Sequence, residues 1–293
     1  MAAMKNHDDL TRVCFLLVLL HVFFVRGFAV SVDEMLAFYP ARRGVACVPD
    51  CGDGDWALEL VSRSEFLTLA LDEDAEKVPD AKRKAAEAGV LGRSLYFEQG
   101  SLKALPFADN YVDLLTLPNK SKAELSEAEE AEIMRVLTPI HGKAFLQDHI
   151  IEKPELPGSD WWPHKLHGPN NNPVSKDTAF QFPPIQQYRA LPMYTPSHGA
   201  ALAADGIFFE INDWRWKRTW MSSLCGKIIA RNTYNGRILW TALAPNELIP
   251  SCPVVAVGEG ALLIGSSQAG QVLRWDGRSG EELTPIDIGA PEQ

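Results

Sequence analysis

The sequence predicts an α/β domain with a parallel sheet, followed by an all-β region of two to three repeated units. Between residues 31 and 151, short apolar segments alternate with charged, Ala-rich segments, which is the pattern of strands joined by helices. From about residue 200 onward, short strand-like segments and turns dominate, and GKIIARNTYNGRIL (226–239) reappears as GQVLRWDGRSGEEL (270–283). A repeat of this size, with turns ending in Asn-Gly or Ser-Gly, is typical of stacked β units.

Length and charge limit the classes of protein to consider. A chain of 293 residues has room for one large or two medium domains. Its formal net charge of −10 argues against a nucleic-acid-binding protein, because such proteins usually carry a basic surface.

The first 30 residues predict a targeting segment. Lys5 and Arg12 precede the apolar run VCFLLVLLHVFFV (13–25), which is shorter than the roughly 20 residues of a membrane-spanning helix. We interpret residues 1–30 as a signal peptide or an uncleaved anchor, with a buried core helix as the remaining alternative, and expect an exported protein of the periplasm or cell envelope. Membrane contact is expected only through residues 13–25, and only if this segment is not cleaved. The remaining cysteines either form disulfides or stay as buried thiols; they are Cys47, Cys51, Cys225 and Cys252.

The strands and helices of the first domain follow from local patterns. Its predicted strands are GVACVPD (44–50), EFLTLALD (65–72), SLYFEQG (94–100), YVDLLTLP (111–118) and KAFLQDHI (143–150). Helices are predicted to begin at DWALEL (55–60) and to cover AEKVPDAKRKAAEAG (75–89) and ELSEAEEAEIMRVL (124–137). In the last helix, Ser126 is a predicted N-cap with Glu129 three residues later. A Pro-, Trp- and Asn-rich linker is predicted at 152–199, before the repeats of 200–293.

One segment of the first domain resembles a known family. LPFADNYVDLL (105–115), followed by EIMRVLTPIHGKAFL (132–146), is similar to the fourth and fifth strands of class I S-adenosylmethionine-dependent methyltransferases. The resemblance implies a Rossmann-like methyltransferase domain over residues 31–151, with S-adenosylmethionine as its cofactor.

The same resemblance implies a set of cofactor-binding residues. In the loop VPDCGDGDW (48–56), Gly52 and Gly54 match the second and third glycines of the family's cofactor loop, while Asp50 stands in the place of the first. Asp72 matches the acid that binds the ribose hydroxyls. Ser101 stands where relatives carry an acid that contacts the adenine amino group. The alternative is purely structural: the glycines form a tight turn, and Asp72 caps the following helix.

No catalytic residue is assigned by the sequence. Leu117, Pro118 and Asn119 follow the fourth strand, where substrate groups often lie, and none of them is a general base. Methyl transfer often requires only proximity and orientation, so a missing base does not exclude it. No metal site is predicted.

The repeats resemble the blades of pyrroloquinoline quinone-type β-propellers. In ARNTYNGRILW (230–240), the signature positions are Ala230, Asn232, Gly236 and Trp240, and the second copy keeps Asp276 and Gly280. The resemblance implies a partial propeller of two to three blades. No quinone cofactor is expected, because its site requires a closed propeller. Together with DWWPHKLHGPNNNPVSKDT (160–178), the combination resembles large bacterial envelope proteins.

Two functions therefore remain open. The first is a methyltransferase with an unknown acceptor, attached to propeller blades that bind a protein or polysaccharide partner. The second is a non-catalytic envelope scaffold or binding protein with a degenerate methyltransferase domain. Asp72 and the strand after Leu105 favour the first, whereas Asp50 and the N-terminal segment favour the second.

Overall fold

A computed structural model describes residues 30–179, 200–211, 227–243, 254–266 and 270–289. Nearly all of the predicted targeting segment lies outside these residues, as do Cys225 and Cys252. Within the described ranges, no helix has the length and apolar character needed to cross a membrane.

The first half of the chain folds around a six-stranded mixed sheet with the order β3-β2-β1-β4-β5-β6. Strands β1 to β5 are parallel, and β6 runs antiparallel to β5. The strands are β1 (Arg43–Val48), β2 (Glu65–Asp72), β3 (Leu95–Gln99), β4 (Leu114–Leu117), β5 (Lys143–Leu146) and β6 (Ile150–Glu152). The helices are α1 (Val32–Leu36), α2 (Asp55–Ser62), α3 (Lys77–Glu87) and α4 (Glu127–Val136), with a 3₁₀ turn at Lys122–Glu124. The predicted alternation of parallel strands and helices is confirmed.

The predicted fifth strand was too long. The segment 143–150 is interrupted after Leu146, where the backbone N–H of Leu146 donates to the carbonyl of His149 at 2.8 Å. This tight reversal ends β5 and starts β6, so the edge of the sheet is antiparallel rather than parallel.

The predicted cap of the last helix is confirmed. The Ser126 hydroxyl accepts from the backbone N–H of Glu129, and the Glu129 carboxylate accepts from the backbone N–H of Ser126. This reciprocal arrangement satisfies two N–H groups that the first turn of a helix otherwise leaves unpaired.

The central strands are buried on both faces, which explains their nearly uninterrupted apolar sequences. Alternate residues of β1 and β4 contribute to two hydrophobic clusters, one on each face of the sheet. Ala46, Val48 and Leu114 lie in one cluster, whereas Cys47 and Leu115 lie in the other. Cys47 and Cys51 are free thiols.

The repeats form two four-stranded antiparallel sheets with the orders β10-β9-β8-β7 and β11-β12-β13-β14. The strands of the first sheet are β7 (Ala200–Ala204), β8 (Ile207–Ile211), β9 (Lys227–Asn232) and β10 (Ile238–Leu243). Those of the second are β11 (Val254–Gly258), β12 (Ala261–Ser266), β13 (Gln271–Asp276) and β14 (Glu282–Asp287). One buried cluster, which includes Phe209, Trp240 and Trp275, is shared by both sheets.

The two copies of the repeat build the same turn. The side-chain oxygen of Asn232 accepts from the backbone N–H groups of Tyr234 and Asn235, and Asp276 in the second copy does the same for residues 278 and 279. Gly236 and Gly280 occupy the same left-handed conformation, with φ of 71° and 74°. The predicted repeat therefore has a structural counterpart, while closure into a propeller stays a prediction.

Trp240 joins the first of these two antiparallel sheets to the second. Its indole N–H donates to the carbonyl of Gly277 at 2.9 Å. A β carbon on Gly280 would lie 2.6 Å from the Trp240 ring, so the turn of the second repeat is closely packed against this side chain.

The first repeat also docks on the α/β domain, at the amino end of β4. Asp113 immediately precedes β4 and is buried, with 3% of its surface exposed. Its carboxylate accepts from the side-chain amides of Asn232 at 2.6 Å and Asn235 at 2.9 Å. From its own domain it accepts from the Val45 backbone N–H at 2.7 Å and the Thr138 hydroxyl at 3.2 Å. Four donors therefore surround one buried carboxylate at the junction.

Burial raises the pKa of Asp113 to about 6, although the four hydrogen bonds act in the opposite direction. Three further contacts lie around it: the Tyr39 hydroxyl donates to the Asp113 carbonyl, the Arg237 guanidinium donates to the Glu65 carbonyl, and the His141 imidazole contacts the Asp205 carbonyl. From the sequence, Asp113 was expected only as a residue of the predicted strand 111–118.

Candidate functional site

The predicted cofactor residues come together at the carboxyl ends of β1, β2 and β3. Asp72, the last residue of β2, is buried. One of its carboxylate oxygens accepts from the backbone N–H of Gly52 at 2.9 Å, and the other accepts from that of Asp74 at 2.9 Å. The Lys77 ammonium lies 3.6 Å away. This carboxylate therefore holds the loop after β1 against the end of β2, as one edge of a binding site requires.

The two glycines that were predicted to bind the cofactor lie in different structural environments. Gly54 is the N-cap of α2 with φ of 83°, and a β carbon there would lie 2.9 Å from Ala81 and 3.0 Å from Phe97. Gly54 is thus required by close packing of the helix on its neighbours. Gly52 has φ of 58°, and a β carbon there would meet nothing within 4 Å. Gly52 therefore faces open space, which leaves room for a ligand beside its backbone.

Ser101 lies just beyond β3 and is close to the same edge, but its hydroxyl is engaged. It donates to the carboxylate of Glu73, the residue directly after Asp72. Sequence reasoning missed Glu73. Its position after the last residue of β2 was the available signal, since residues at strand ends converge on one edge of a parallel sheet. The Glu73 carboxylate thus provides a negative charge near Ser101, which stands where the resemblance predicts an acid.

A cleft of about 320 Å³ lies on the other side of β1, between the ends of β1 and β4. Its lining includes Pro49 and Asp50 after β1, Leu117 at the end of β4, Pro118 to Lys120 after β4, and Glu124. Asp50 has φ of 53°, a left-handed conformation that Asp tolerates better than most residues. Its carboxylate makes no hydrogen bond or ion pair within the described part of the chain.

The charges around the cleft act on Asp50 in both directions. Partial desolvation raises the pKa of Asp50, the Lys120 ammonium lowers it, and the carboxylates of Glu73 and Asp72 raise it further. Lys120 itself binds Glu129 at 2.8 Å, and this hydrogen bond holds the pKa of Glu129 at about 2. The Glu129 carboxylate is therefore ionised at neutral pH, and it anchors the lysine at the cleft.

Sequence reasoning also missed Lys120. It follows Leu117, Pro118 and Asn119, which were singled out as the residues after the fourth strand, and it was one position beyond them. Among the described residues, no group of three His, Cys, Asp or Glu side chains is arranged to hold a metal ion.

The residues at this edge fit an adenosine-containing cofactor. The carboxylate of Asp72 and the open space at Gly52 are adjacent, and each oxygen of Asp72 keeps acceptor capacity beyond its one backbone donor. A short carboxylate at a strand end suits a pair of ribose hydroxyls. The β sheets contact the opposite, amino edge of the parallel sheet through Asp113, so they do not line this cleft.

Comparison with known proteins agrees with this arrangement. Residues 50–140 match a family model described as a methyltransferase domain. No curated protein is significantly similar to the chain. Residues 50–140 are thus similar to a methyltransferase domain, and the parallel sheet around them is consistent with a Rossmann-like fold.

Several solved structures are similar to part of the chain. A provisionally assigned S-adenosyl-L-methionine-dependent methyltransferase of Methanococcus maripaludis is 23% identical, with 42% of this chain and 56% of that chain covered and a TM-score of 0.36. The YcgJ protein of Bacillus subtilis is 24% identical, with 39% and 48% covered and a TM-score of 0.35. Geranyl diphosphate C-methyltransferase of Streptomyces coelicolor, solved with S-adenosyl-L-homocysteine, is 16% identical, with 35% and 38% covered and a TM-score of 0.33. The chain thus spans about half the length of these structures or less.

Proposed function

We propose that this chain is an S-adenosylmethionine-dependent methyltransferase whose acceptor is unknown. The observation that carries the proposal is the contact between the Asp72 carboxylate and the Gly52 backbone, next to an open cleft at the ends of β1 and β4. The match of residues 50–140 to the methyltransferase domain family supports it.

Each proposed residue has a distinct part in binding. Asp72 accepts hydrogen bonds from the ribose hydroxyls, and the Gly52 backbone leaves room for the cofactor to pass the end of β1. Gly54 keeps α2 close to the sheet, so that the loop holds its shape without a ligand. Ser101 and Glu73 provide polar groups near the adenine.

The cofactor, when bound, supplies an activated methyl group. The chain's contribution is to orient the two reactants and to exclude water, which by itself provides a large rate acceleration. We assign no general base. Asp50 is the carboxylate of the cleft without a partner among the described residues.

The rival proposal is a non-catalytic scaffold. The carboxylate of Asp50 in the place of a glycine favours it, as does docking of the β sheets on the edge away from the cleft. Export to the cell envelope and recognition of a protein or polysaccharide by the repeats remain proposals as well. Both functions share the same fold and differ in whether the cleft binds the cofactor.

Calorimetric titration of the full chain with S-adenosylmethionine separates the two. We expect binding in the wild type and a loss of about 10- to 100-fold in affinity for Asp72→Asn, because a charge-assisted hydrogen bond to the ribose is weakened. Asp74→Asn is the matched control, since Asp74 lies in the same turn and, within the described part of the chain, its side chain is bonded only to the Glu76 backbone.

Absence of binding at millimolar cofactor would remove the methyltransferase proposal and favour the scaffold. Equal affinity for wild type and Asp72→Asn, with both proteins folded by circular dichroism, would remove the assignment of Asp72 alone.

A further inference from the structure

The two antiparallel sheets meet at their edge strands, β7 and β11. Each of these strands lies at one end of the strand order of its sheet, and the two strands contact each other. An edge strand presents backbone N–H and carbonyl groups that its own sheet leaves unpaired. An extended polypeptide segment can add to such an edge through main-chain hydrogen bonds.

A segment of the chain that precedes both sheets pairs with these two edges. The backbone of Trp162 exchanges two hydrogen bonds with that of Ala203 in β7: the Trp162 N–H donates at 2.8 Å, and the Trp162 carbonyl accepts at 2.9 Å. The next carbonyl, that of Pro163, accepts from the Val257 N–H of β11 at 2.8 Å. The segment 161–164 therefore bridges the two sheets through backbone groups, and we call it the bridging segment.

The carboxylate of Asp160 fixes the bridging segment in place. One of its oxygens accepts from the N–H of Trp161 at 3.0 Å, and the other accepts from the N–H of Lys176 at 2.6 Å and from the Ser175 hydroxyl at 3.2 Å. The His167 imidazole lies 2.8 Å from the second oxygen. The Lys176 N–H and the His167 contact hold the pKa of Asp160 at about 2, so this carboxylate is ionised at neutral pH.

We infer that the edges of β7 and β11 form a binding site for an extended polypeptide of a partner protein, and that the bridging segment occupies this site as an intramolecular ligand held by Asp160. The bonds to both edges come from backbone groups, so another extended chain can form the same bonds. The Trp161 side chain packs against the buried cluster that both sheets share, which favours an aromatic residue in the partner. The site lies in the repeats, so it is independent of whether the cleft binds a cofactor.

The covalent link favours the chain's own segment over a partner. A tethered ligand has an effective concentration on the order of millimolar, so a free peptide competes only when the bridging segment is weakened. Asp160→Ala removes the carboxylate that fixes the segment. Trp162→Pro, added to it, removes the N–H that donates to Ala203. The full chain with both substitutions therefore exposes the two edges to a peptide in solution.

A fluorescein-labelled peptide with the sequence of residues 158–168, GSDWWPHKLHG, serves as the probe. We expect fluorescence anisotropy to show at least about tenfold tighter binding to the doubly substituted chain than to the wild type. The same peptide carrying Trp162→Pro should bind more weakly, because it lacks the donor to β7. Asp177→Ala is the matched control, since Asp177 lies in the same stretch but accepts from the Ala179 backbone, and it should behave like the wild type.

Hydrogen exchange of the full chain tests the role of Asp160 separately. The amides of Ala203 and Val257 donate to the bridging segment, so in Asp160→Ala both should exchange at least about tenfold faster, while the amides of β12 remain unchanged. Unchanged exchange of these two amides overturns the inference. Equal affinity of the peptide for the wild type and the doubly substituted chain, with the latter folded by circular dichroism, also overturns it. Asp160→Ala alone decides if the doubly substituted chain does not fold.

Discussion

Replacing Asn232 by Asp tests the junction between the α/β domain and the first repeat. The Asn232 amide donates to the buried carboxylate of Asp113 at 2.6 Å. Its other side-chain atom, the carbonyl oxygen, accepts from the turn backbone, as a carboxylate oxygen of Asp276 does in the second repeat. Asn232→Asp therefore keeps the local turn and changes only the contact across the junction, where two carboxylates would meet.

The expected effect follows from the pKa of Asp113. Two adjacent buried carboxylates share a proton rather than both ionise. Protonating a carboxyl group whose pKa is about 6 costs roughly 3 kcal/mol at pH 8 and close to nothing at pH 5. We therefore expect Asn232→Asp to lower the free energy of unfolding by about 3 kcal/mol at pH 8 and by less than about 1 kcal/mol at pH 5.

The stability of the wild type depends on pH with the same sign but with a smaller magnitude. The folded-state pKa of Asp113 lies above its ordinary value, so this group's contribution to stability is fully present below the unfolded-state pKa. That contribution is lost as the pH rises through about 6. The substitution raises the pKa of the pair further and steepens this dependence.

Urea unfolding of the full chain at pH 5 and pH 8, followed by tryptophan fluorescence, measures the effect. Asp276→Asn is the matched control: it makes the reverse change in the equivalent turn, away from Asp113, and should cost less than about 1 kcal/mol at either pH. An effect of Asn232→Asp that is equal at the two pH values would refute the shared-proton reasoning. No destabilisation at pH 8 would show that the junction does not contribute to stability.

Four further substitutions test local packing and helix capping by thermal or urea unfolding. Gly54→Ala should destabilise the protein by about 1–3 kcal/mol, because its β carbon would lie within 3.0 Å of side chains of α3 and β3. Gly52→Ala should cost only about 1 kcal/mol, because Gly52 has the same left-handed backbone conformation but open space around it. Equal losses for the two substitutions would contradict the packing argument. Gly280→Ala should cost about 1–3 kcal/mol because its β carbon would lie 2.6 Å from the Trp240 ring, and an unchanged midpoint would rule out close contact between the repeats. Ser126→Ala should cost about 0.5–2 kcal/mol through loss of the helix cap, and a neutral result would mean that the cap is replaced by water.

The predicted elements of the α/β domain and the repeats depend on short-range signals. Strand β2 was predicted with its observed ends, because EFLTLALD is bounded by polar residues and ends at an acid. The cap at Ser126 follows from residues three positions apart. The end of β5 at Leu146 was missed, because a reversal formed by Gln147 to His149 has no Gly or Pro to mark it.

The candidate site was predicted in part. Gly52 and Asp72 were identified because residues at the carboxyl ends of neighbouring parallel strands converge on one edge. Glu73 and Lys120 were missed, although each lies one residue beyond a position that was considered. Whether a side chain at a strand end faces the cleft or its neighbours depends on the loop that follows, and its backbone conformation has no clear pattern in the sequence.

Most strands and helices and the repeated turn could be predicted from the sequence, because periodicity and turn chemistry act over a few residues, but α1 and β6 were not predicted. The docking position of the first repeat, and the reason why its turn carries Asn232 where the second carries Asp276, became apparent only in the folded chain. The Asn232 amide meets a carboxylate 119 positions earlier in the chain, and burial of that carboxylate makes a second charge there unfavourable. Such a requirement depends on which surfaces come into contact, and contacts between distant residues form only when the chain has folded.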